Sequence, residues 1–139
     1  MVNKRAIAVS VLVLLGTVSS SQAQGAFKAV PILKESTTIA GQPIKYLQTD
    51  TPEVTSILVE IQPGGESGVH KHPVPPQIYV LEGNVTIEFD NGDRKSFSAG
   101  QAFIEAVDMW HNAKNLGETP VKMLVVFFGE QGKKNLVRP

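Results

Sequence analysis

Two histidines one residue apart, His70 and His72, have the clearest capacity for chemistry in this sequence. They lie in residues 64–83, GGESGVHKHPVPPQIYVLEG, where three prolines after the pair disfavour a helix and favour an extended chain. Side chains at positions i and i+2 of a strand point to the same face, so both imidazoles should project together. The third histidine, His111, lies in a separate strand-like segment, DMWHNAKN. Because neutral imidazoles are common ligands of transition metals, the three histidines predict a single metal site.

Less specific interpretations of these histidines stay open. A histidine pair on a strand can also pack in a core or face solvent, and His111 can be a packing residue beside Trp110. The chain has no cysteine, which excludes thiolates both as metal ligands and as nucleophiles. Positive and negative residues balance at 13 each, and this balance does not favour a nucleic-acid partner.

The elements that must position the histidines have the pattern of short strands separated by turns. Residues 54–62 alternate between apolar and polar side chains, and residues 121–128 form an apolar strand. The tetrapeptide at residues 90–93, Asp-Asn-Gly-Asp, is a strong hairpin signal. We therefore predict one all-β domain at residues 24–130, an antiparallel sandwich or barrel, and a loosely ordered polar tail at residues 131–139.

The N-terminal residues have the features of an export signal. Lys4 and Arg5 precede an apolar stretch at residues 6–15 that is too short to span a membrane, and the Ser-Gln-Ala sequence ending at Ala23 suits a signal peptidase. We predict a signal peptide at residues 1–23, cleavage after Ala23, and a periplasmic or secreted protein without membrane attachment after cleavage. The alternative is that this stretch is kept as an N-terminal anchor.

The spacing of the histidines resembles that of the cupin family, whose fold is a small jelly-roll β-barrel. The residues that fit the first cupin motif are Gly64, His70, His72 and Gly83. The residues that fit the second motif are Gly100, His111 and Asn115. The resemblance covers residues 54–128. It implies a single-domain antiparallel jelly-roll β-barrel, one divalent transition metal ion held by the three histidines, and a homodimer as in many family members.

The main departure from the family concerns the glutamate that usually binds the metal together with the histidines. Pro76 occupies that position, and Gln77 fits the alternative spacing but should face the opposite side of the strand unless a bulge redirects it. Gln77 is therefore a candidate fourth ligand. Glu105 and Asp108, which are close to His111 in sequence, are candidates for supporting or solvent-facing roles only. Asp108 also replaces a glycine of the second motif, which should affect a turn rather than the metal.

The sequence leaves the metal and the reaction open. Imidazole suits Fe, Zn, Cu, Ni or Mn, although the missing glutamate weakens the case for hard ions such as Mn²⁺. We expect Tyr79, Phe103 and Met109 to line a pocket for a small-molecule ligand, and the sequence identifies no catalytic residue. The protein should be a metal-dependent dioxygenase or isomerase, or a non-catalytic protein that binds a metal or small ligand. A barrel without a metal is the third alternative.

Overall fold

The computed structural model describes residues 27–139, which form two antiparallel β-sheets and contain no helix. The strands in chain order are β1 (Pro52–Ile61), β2 (Gln77–Glu82), β3 (Asn84–Phe89), β4 (Arg94–Ser98), β5 (Ala102–Ile104), β6 (His111–Lys114) and β7 (Val121–Glu130). One sheet has the strand order β1-β7-β2-β5, and the other has the order β4-β3-β6. This architecture confirms the all-β antiparallel jelly-roll fold that the sequence predicts.

The predicted signal peptide and its cleavage site lie outside the described residues. Within residues 27–139, the structure has no helix that could cross a membrane.

The core lies between the two sheets and takes alternate residues of β7, whereas β3 and β6 bury three consecutive residues each. Strand β7 shows the pattern most clearly, since Val121, Met123, Val125 and Phe127 are buried while the intervening residues are more exposed. Val80 of the neighbouring strand β2 and Ile87 of β3 in the other sheet have no exposed surface. Fully burying an aliphatic side chain of this kind contributes roughly 1.5–3 kcal/mol to the free energy of folding. The same alternation decides which side chains point into the barrel.

Two turns depend on glycines that the sequence pattern singles out. Gly92 lies in the turn between β3 and β4 with φ +88, and the Asn91 side chain accepts a hydrogen bond from the Asp93 amide (3.0 Å), as the hairpin signal predicts. Gly83, between β2 and β3, has φ +77, and a Cβ there would lie 2.6 Å from the Pro120 carbonyl oxygen. Any side chain at position 83 would therefore push this turn away from the start of β7.

The last residues of the chain pack beside the histidine pair. The backbone of Val137 exchanges two hydrogen bonds with Lys71, both of 2.9 Å, and Arg138 Nη1 donates to the Ser67 carbonyl (3.1 Å). This placement differs from the loosely ordered tail that the polar composition predicts. The reason is that Lys71 offers an unpaired backbone edge, to which the tail adds a short bridge.

Candidate metal centre

Backbone pairing between distant segments brings the three histidines together. His70 and His111 face each other across an antiparallel bridge, in which each amide donates to the other residue's carbonyl at 2.9 Å. The His72 carbonyl accepts a hydrogen bond from the Asp108 amide (2.8 Å), which fixes the other end of the pair. The ring centroids of the three imidazoles are 4.4–5.1 Å apart. All three side chains are buried, with at most 5% of their surface exposed.

The hydrogen bonds of the three imidazoles define which nitrogen of each ring is free. Each Nδ1 lies 2.8–2.9 Å from a backbone carbonyl oxygen, and the pairs are His70 with Gly68, His72 with Asn135, and His111 with Met109. A carbonyl can only accept, so each Nδ1 carries a proton, and Nε2 is the ring nitrogen left to bind a metal. One nitrogen from each ring lies within 4.8 Å of the others. Fixing the outer nitrogen in this way is how proteins orient metal-binding histidines.

A carboxylate that the sequence assigned to a supporting or solvent-facing role lies against two of the three histidines. Glu105 follows β5 directly and has only 3% of its surface exposed. Its Oε2 lies 3.2 Å from His72 Nε2, and its Oε1 lies 3.1 Å from His111 Nε2. The alternation of residues along the strand indicates that Glu105 points inward, because Phe103 is buried inside the barrel and Glu105 is two residues further along.

The contact between Glu105 and His111 lacks the geometry of a hydrogen bond. Both Glu105 Oε1 and His111 Nε2 are buried without a hydrogen-bond partner, although they lie 3.1 Å apart. Two buried lone pairs at this distance need a positive charge between them, either a proton on His111 Nε2 or a metal ion. Nitrogen and oxygen ligands about 2.1 Å from one metal ion, at angles of about 90–109°, are separated by about 3.0–3.4 Å. The distances from Glu105 to His72 and His111 fall in this range and therefore fit two pairs of ligands on one metal ion.

The pKa shifts of the histidines and Glu105 are consistent with a metal site. Burial, assisted by the neighbouring imidazoles, lowers the pKa of His70 to about 4, so this ring is neutral at pH 7. Burial alone would raise the pKa of Glu105, but attraction to His111 and His72 outweighs it and holds the pKa well below its ordinary value. Burial also acts to lower the pKa of His111, yet the Glu105 carboxylate raises it overall. The site thus contains an ionised carboxylate that favours a positive charge beside it.

Gln77, the candidate fourth ligand, does not share the face of the histidines. The next residue, Ile78, lines the interior, whereas Gln77 lines a surface pocket together with Ile104 and Phe128. No bulge redirects Gln77, because the irregularity in the pairing of β2 falls between residues 80 and 82. Pro76, at the usual position of the family's glutamate, contributes its carbonyl oxygen instead, which accepts a hydrogen bond from the Glu105 amide (3.0 Å).

None of the three residues expected to line a ligand pocket lines the cavity beside the histidines. Tyr79 lies two positions after Gln77 on β2 and shares its outward face. Phe103 is buried inside the barrel but stacks on Phe97, with ring centroids 3.9 Å apart. Met109 packs partly buried against the core, and its contribution to the site is the carbonyl that fixes His111.

A cavity of about 260 Å³ lies between the two sheets and reaches the candidate metal centre. His70, His72 and Glu105 form its polar end. Apolar side chains of β1, β2, β3, β6 and β7 line most of the remaining wall, and Leu136 of the C-terminal tail completes it. The barrel therefore combines a cluster of metal-ligand type with adjacent space for a small molecule.

The jelly-roll barrel and the three buried histidines that converge beside an internal cavity place this protein in the class of metal-binding β-barrel proteins. The family model described as "Cupin domain" matches residues 57–127, just over half of the chain. The chain therefore belongs to the cupin family. No curated protein sequence matches it significantly.

Solved structures resemble the barrel at low sequence identity. A conserved protein with a double-stranded β-helix domain from Klebsiella pneumoniae subsp. pneumoniae has a TM-score of 0.52 and 20% identity over 69% of this chain and 91% of its own. Oxalate decarboxylase from Lactobacillus farciminis has a TM-score of 0.51 and 22% identity over 68% of this chain, which spans only 33% of that enzyme. Protein BH2720 from Bacillus halodurans has a TM-score of 0.51 and 25% identity over 59% of this chain and 67% of its own. At this level the likeness shows the fold.

Proposed function

We propose that this cupin binds one divalent transition metal ion through His70, His72 and His111, with Glu105 as the fourth protein ligand. The observation that supports this most directly is that one ring nitrogen from each of three buried histidines lies within 4.8 Å of the others, with the buried Glu105 carboxylate 3.1–3.2 Å from His111 and His72. Glu105 would thus replace the carboxylate that the family usually supplies from the position of Pro76. The ligand set would consist of three nitrogens and one oxygen.

The carboxylate widens the range of metals that the site suits. Three imidazoles alone would favour Zn²⁺, Cu²⁺, Ni²⁺ or Fe²⁺, whereas a carboxylate oxygen also accommodates the harder Mn²⁺. The donor set therefore fits Fe, Zn, Cu, Ni or Mn, and metal analysis has to identify the ion.

For the activity, we infer a metal-centred reaction on a small molecule, of the dioxygenase or isomerase type. A bound ion of this kind supplies Lewis-acid or redox chemistry at a substrate oxygen. The chain would orient the substrate in the cavity and limit the access of water. Apart from His70, His72, Glu105 and Arg138, no titratable side chain among the described residues lines the cavity. This scarcity of acid–base groups favours the second candidate, a protein that binds a metal or small ligand without turnover.

Export is a separate part of the proposal and rests on the N-terminal sequence. We expect a signal peptide at residues 1–23 and a periplasmic or secreted mature protein that begins at Gln24. Mass spectrometry of protein recovered from the periplasm or the medium tests this expectation. A mature protein that retains residues 1–23 would contradict it.

We also propose a homodimer through the outer face of β1 and β7. Phe127 points inward with 4% of its surface exposed, whereas Phe128 points outward with 47% exposed, and Leu58 on the same outer face is 77% exposed. An apolar surface of this kind often marks an interface. Sedimentation of the wild type and of a Phe128→Lys variant tests the assignment, because the charge should shift a dimer towards monomer. An unchanged dimer in the variant would refute this face.

Metal content measured by mass spectrometry tests the central proposal. The wild type, purified from its native compartment without chelators, should contain close to one equivalent of metal. The His111→Ala variant should lose most of it, and circular dichroism should establish that the variant is folded. Because His111 is almost fully buried, His70→Asn serves as a second variant that leaves a smaller void. Folded variants with full metal content would refute the proposed ligands.

A further inference from the structure

We propose that the ligand of this site is a small anion with an oxygen-bearing head and an apolar body. The head would bind at the metal end of the cavity, and the body would fill the space between the sheets. This inference rests on the proposed metal site and extends it by naming the class of ligand.

The size of the cavity sets the size of the apolar body. The cavity measures about 260 Å³, and an apolar cavity of about 150 Å³ already accommodates benzene. There is consequently room for one aromatic ring with a short substituent, or for an aliphatic chain of similar volume. A ligand as small as oxalate would leave most of the apolar wall without contacts.

The polar groups of the wall are few. Besides His70, His72 and Glu105 they are Ser67, whose hydroxyl lies 3.4 Å from His70 Nδ1, and the exposed Arg138. The Ser67 hydroxyl donates to Asn112 Oδ1 (3.2 Å) and accepts from the Ala113 amide (3.0 Å), and Arg138 donates to the Ser67 carbonyl. The rest of the wall is apolar, so a polar group on the body of the ligand would be buried against hydrocarbon, which is unfavourable.

The charge of the site favours an anion. Three neutral imidazoles, one carboxylate and a divalent cation would carry one net positive charge, and the Arg138 guanidinium in the cavity lining adds a second. An anionic head on the ligand offsets positive charge beside an apolar wall.

The cavity reaches the surface through an apolar rim. Ile57 lines the cavity and is still 42% exposed, because it lies on β1 at the edge of its sheet. Leu136 of the C-terminal tail also lines the cavity. An apolar body can enter past these side chains with little loss of favourable hydration.

A series of linear monocarboxylates tests the proposal directly. Zinc is loaded into the purified protein and its stoichiometry is measured first. Dissociation constants are then determined by calorimetry for acetate, butanoate and hexanoate. Burial of a methylene should tighten binding about fourfold, so hexanoate should bind up to about 200-fold more tightly than acetate.

Matched variants on β1 show where the apolar body of the ligand binds. Val59→Phe adds volume inside the cavity and should remove most of the gain with chain length, and Ile57→Phe at the mouth serves the same purpose if that variant does not fold. Leu58→Phe adds the same ring to the exposed face of β1 and should keep the full gain.

Each outcome separates the two proposals. Stoichiometric zinc with affinities that do not depend on chain length would overturn the ligand class and leave the metal site intact. The same gain with chain length in the Val59→Phe and Leu58→Phe variants would overturn it equally. Failure to take up zinc would refute the metal site, and with it this inference.

Discussion

Replacing Glu105 with glutamine should weaken metal binding about 100-fold without removing any histidine. The substitution keeps the volume of the side chain and one carbonyl oxygen but removes the negative charge. In the structure both carboxylate oxygens lie 3.1–3.2 Å from an imidazole Nε2, and the side chain is 3% exposed. The negative charge of Glu105 therefore faces the proposed metal position with little screening by water.

The expected loss of metal affinity is scaled from groups that support metal ligands without binding the metal themselves. Loss of a group that only supports a metal ligand typically lowers metal affinity about 10–100-fold. Because Glu105 faces the site directly, we expect the upper end of that range, or about 2.8 kcal/mol of binding free energy. At a metal concentration of about 100 times the wild-type Kd, the metal should stabilise the wild type by about 2.7 kcal/mol but the variant by only about 0.4 kcal/mol.

Two measurements check this prediction. Competition with a chromophoric chelator gives the affinity for Co²⁺ or Zn²⁺, and thermal unfolding with and without metal gives the stabilisation. Asp108→Asn is the matched control, since this exposed carboxylate is close in sequence but pairs with Lys71 at 3.1 Å. Equal metal affinity in the Glu105→Gln variant and the control would refute the reasoning.

Three further predictions follow from the placement of individual residues. Gln77→Ala should leave metal affinity unchanged in chelator competition, because the side chain faces outward; a clear loss would mean that β2 is oriented differently. Ending the chain at Lys134 removes the carbonyl that holds His72 and should weaken metal binding about tenfold in the same assay, whereas unchanged affinity would show that the tail is dispensable. Asn115→Ala removes three hydrogen bonds of a buried amide and should lower the free energy of unfolding in urea by about 3 kcal/mol, with metal content retained; a negligible change would contradict the structural role of this residue.

The fold was largely predictable because its signals are local. Alternation with a period of two marks which face of each strand is buried, and glycines mark the turns that need positive φ. Asp108 illustrates the tolerance of such turns, since it stands where the second cupin motif has a glycine and still adopts φ 53. Aspartate enters this left-handed region more readily than most residues.

The composition of the candidate site was only partly predictable. The spacing of His70 and His72 placed both rings on one face, and motif spacing added His111. The same motif directed attention to positions 76 and 77 for a carboxylate, although the structure places Glu105 at the histidines. Alternation from the buried Phe103 points Glu105 inward, but alternation along one strand does not reveal which residues face it across the barrel.

By itself, the sequence determined the period of the strands, the turns and the presence of three histidines at cupin spacing. Only the tertiary structure decided that Glu105 joins the histidines, that Gln77 and Tyr79 face away, and that the C-terminal tail supports the site. The hydrogen bond from His72 to the Asn135 carbonyl spans 63 positions of the chain. Contacts of this range depend on how the sheets close around the core, because backbone carbonyls carry no side-chain identity that a sequence pattern can show.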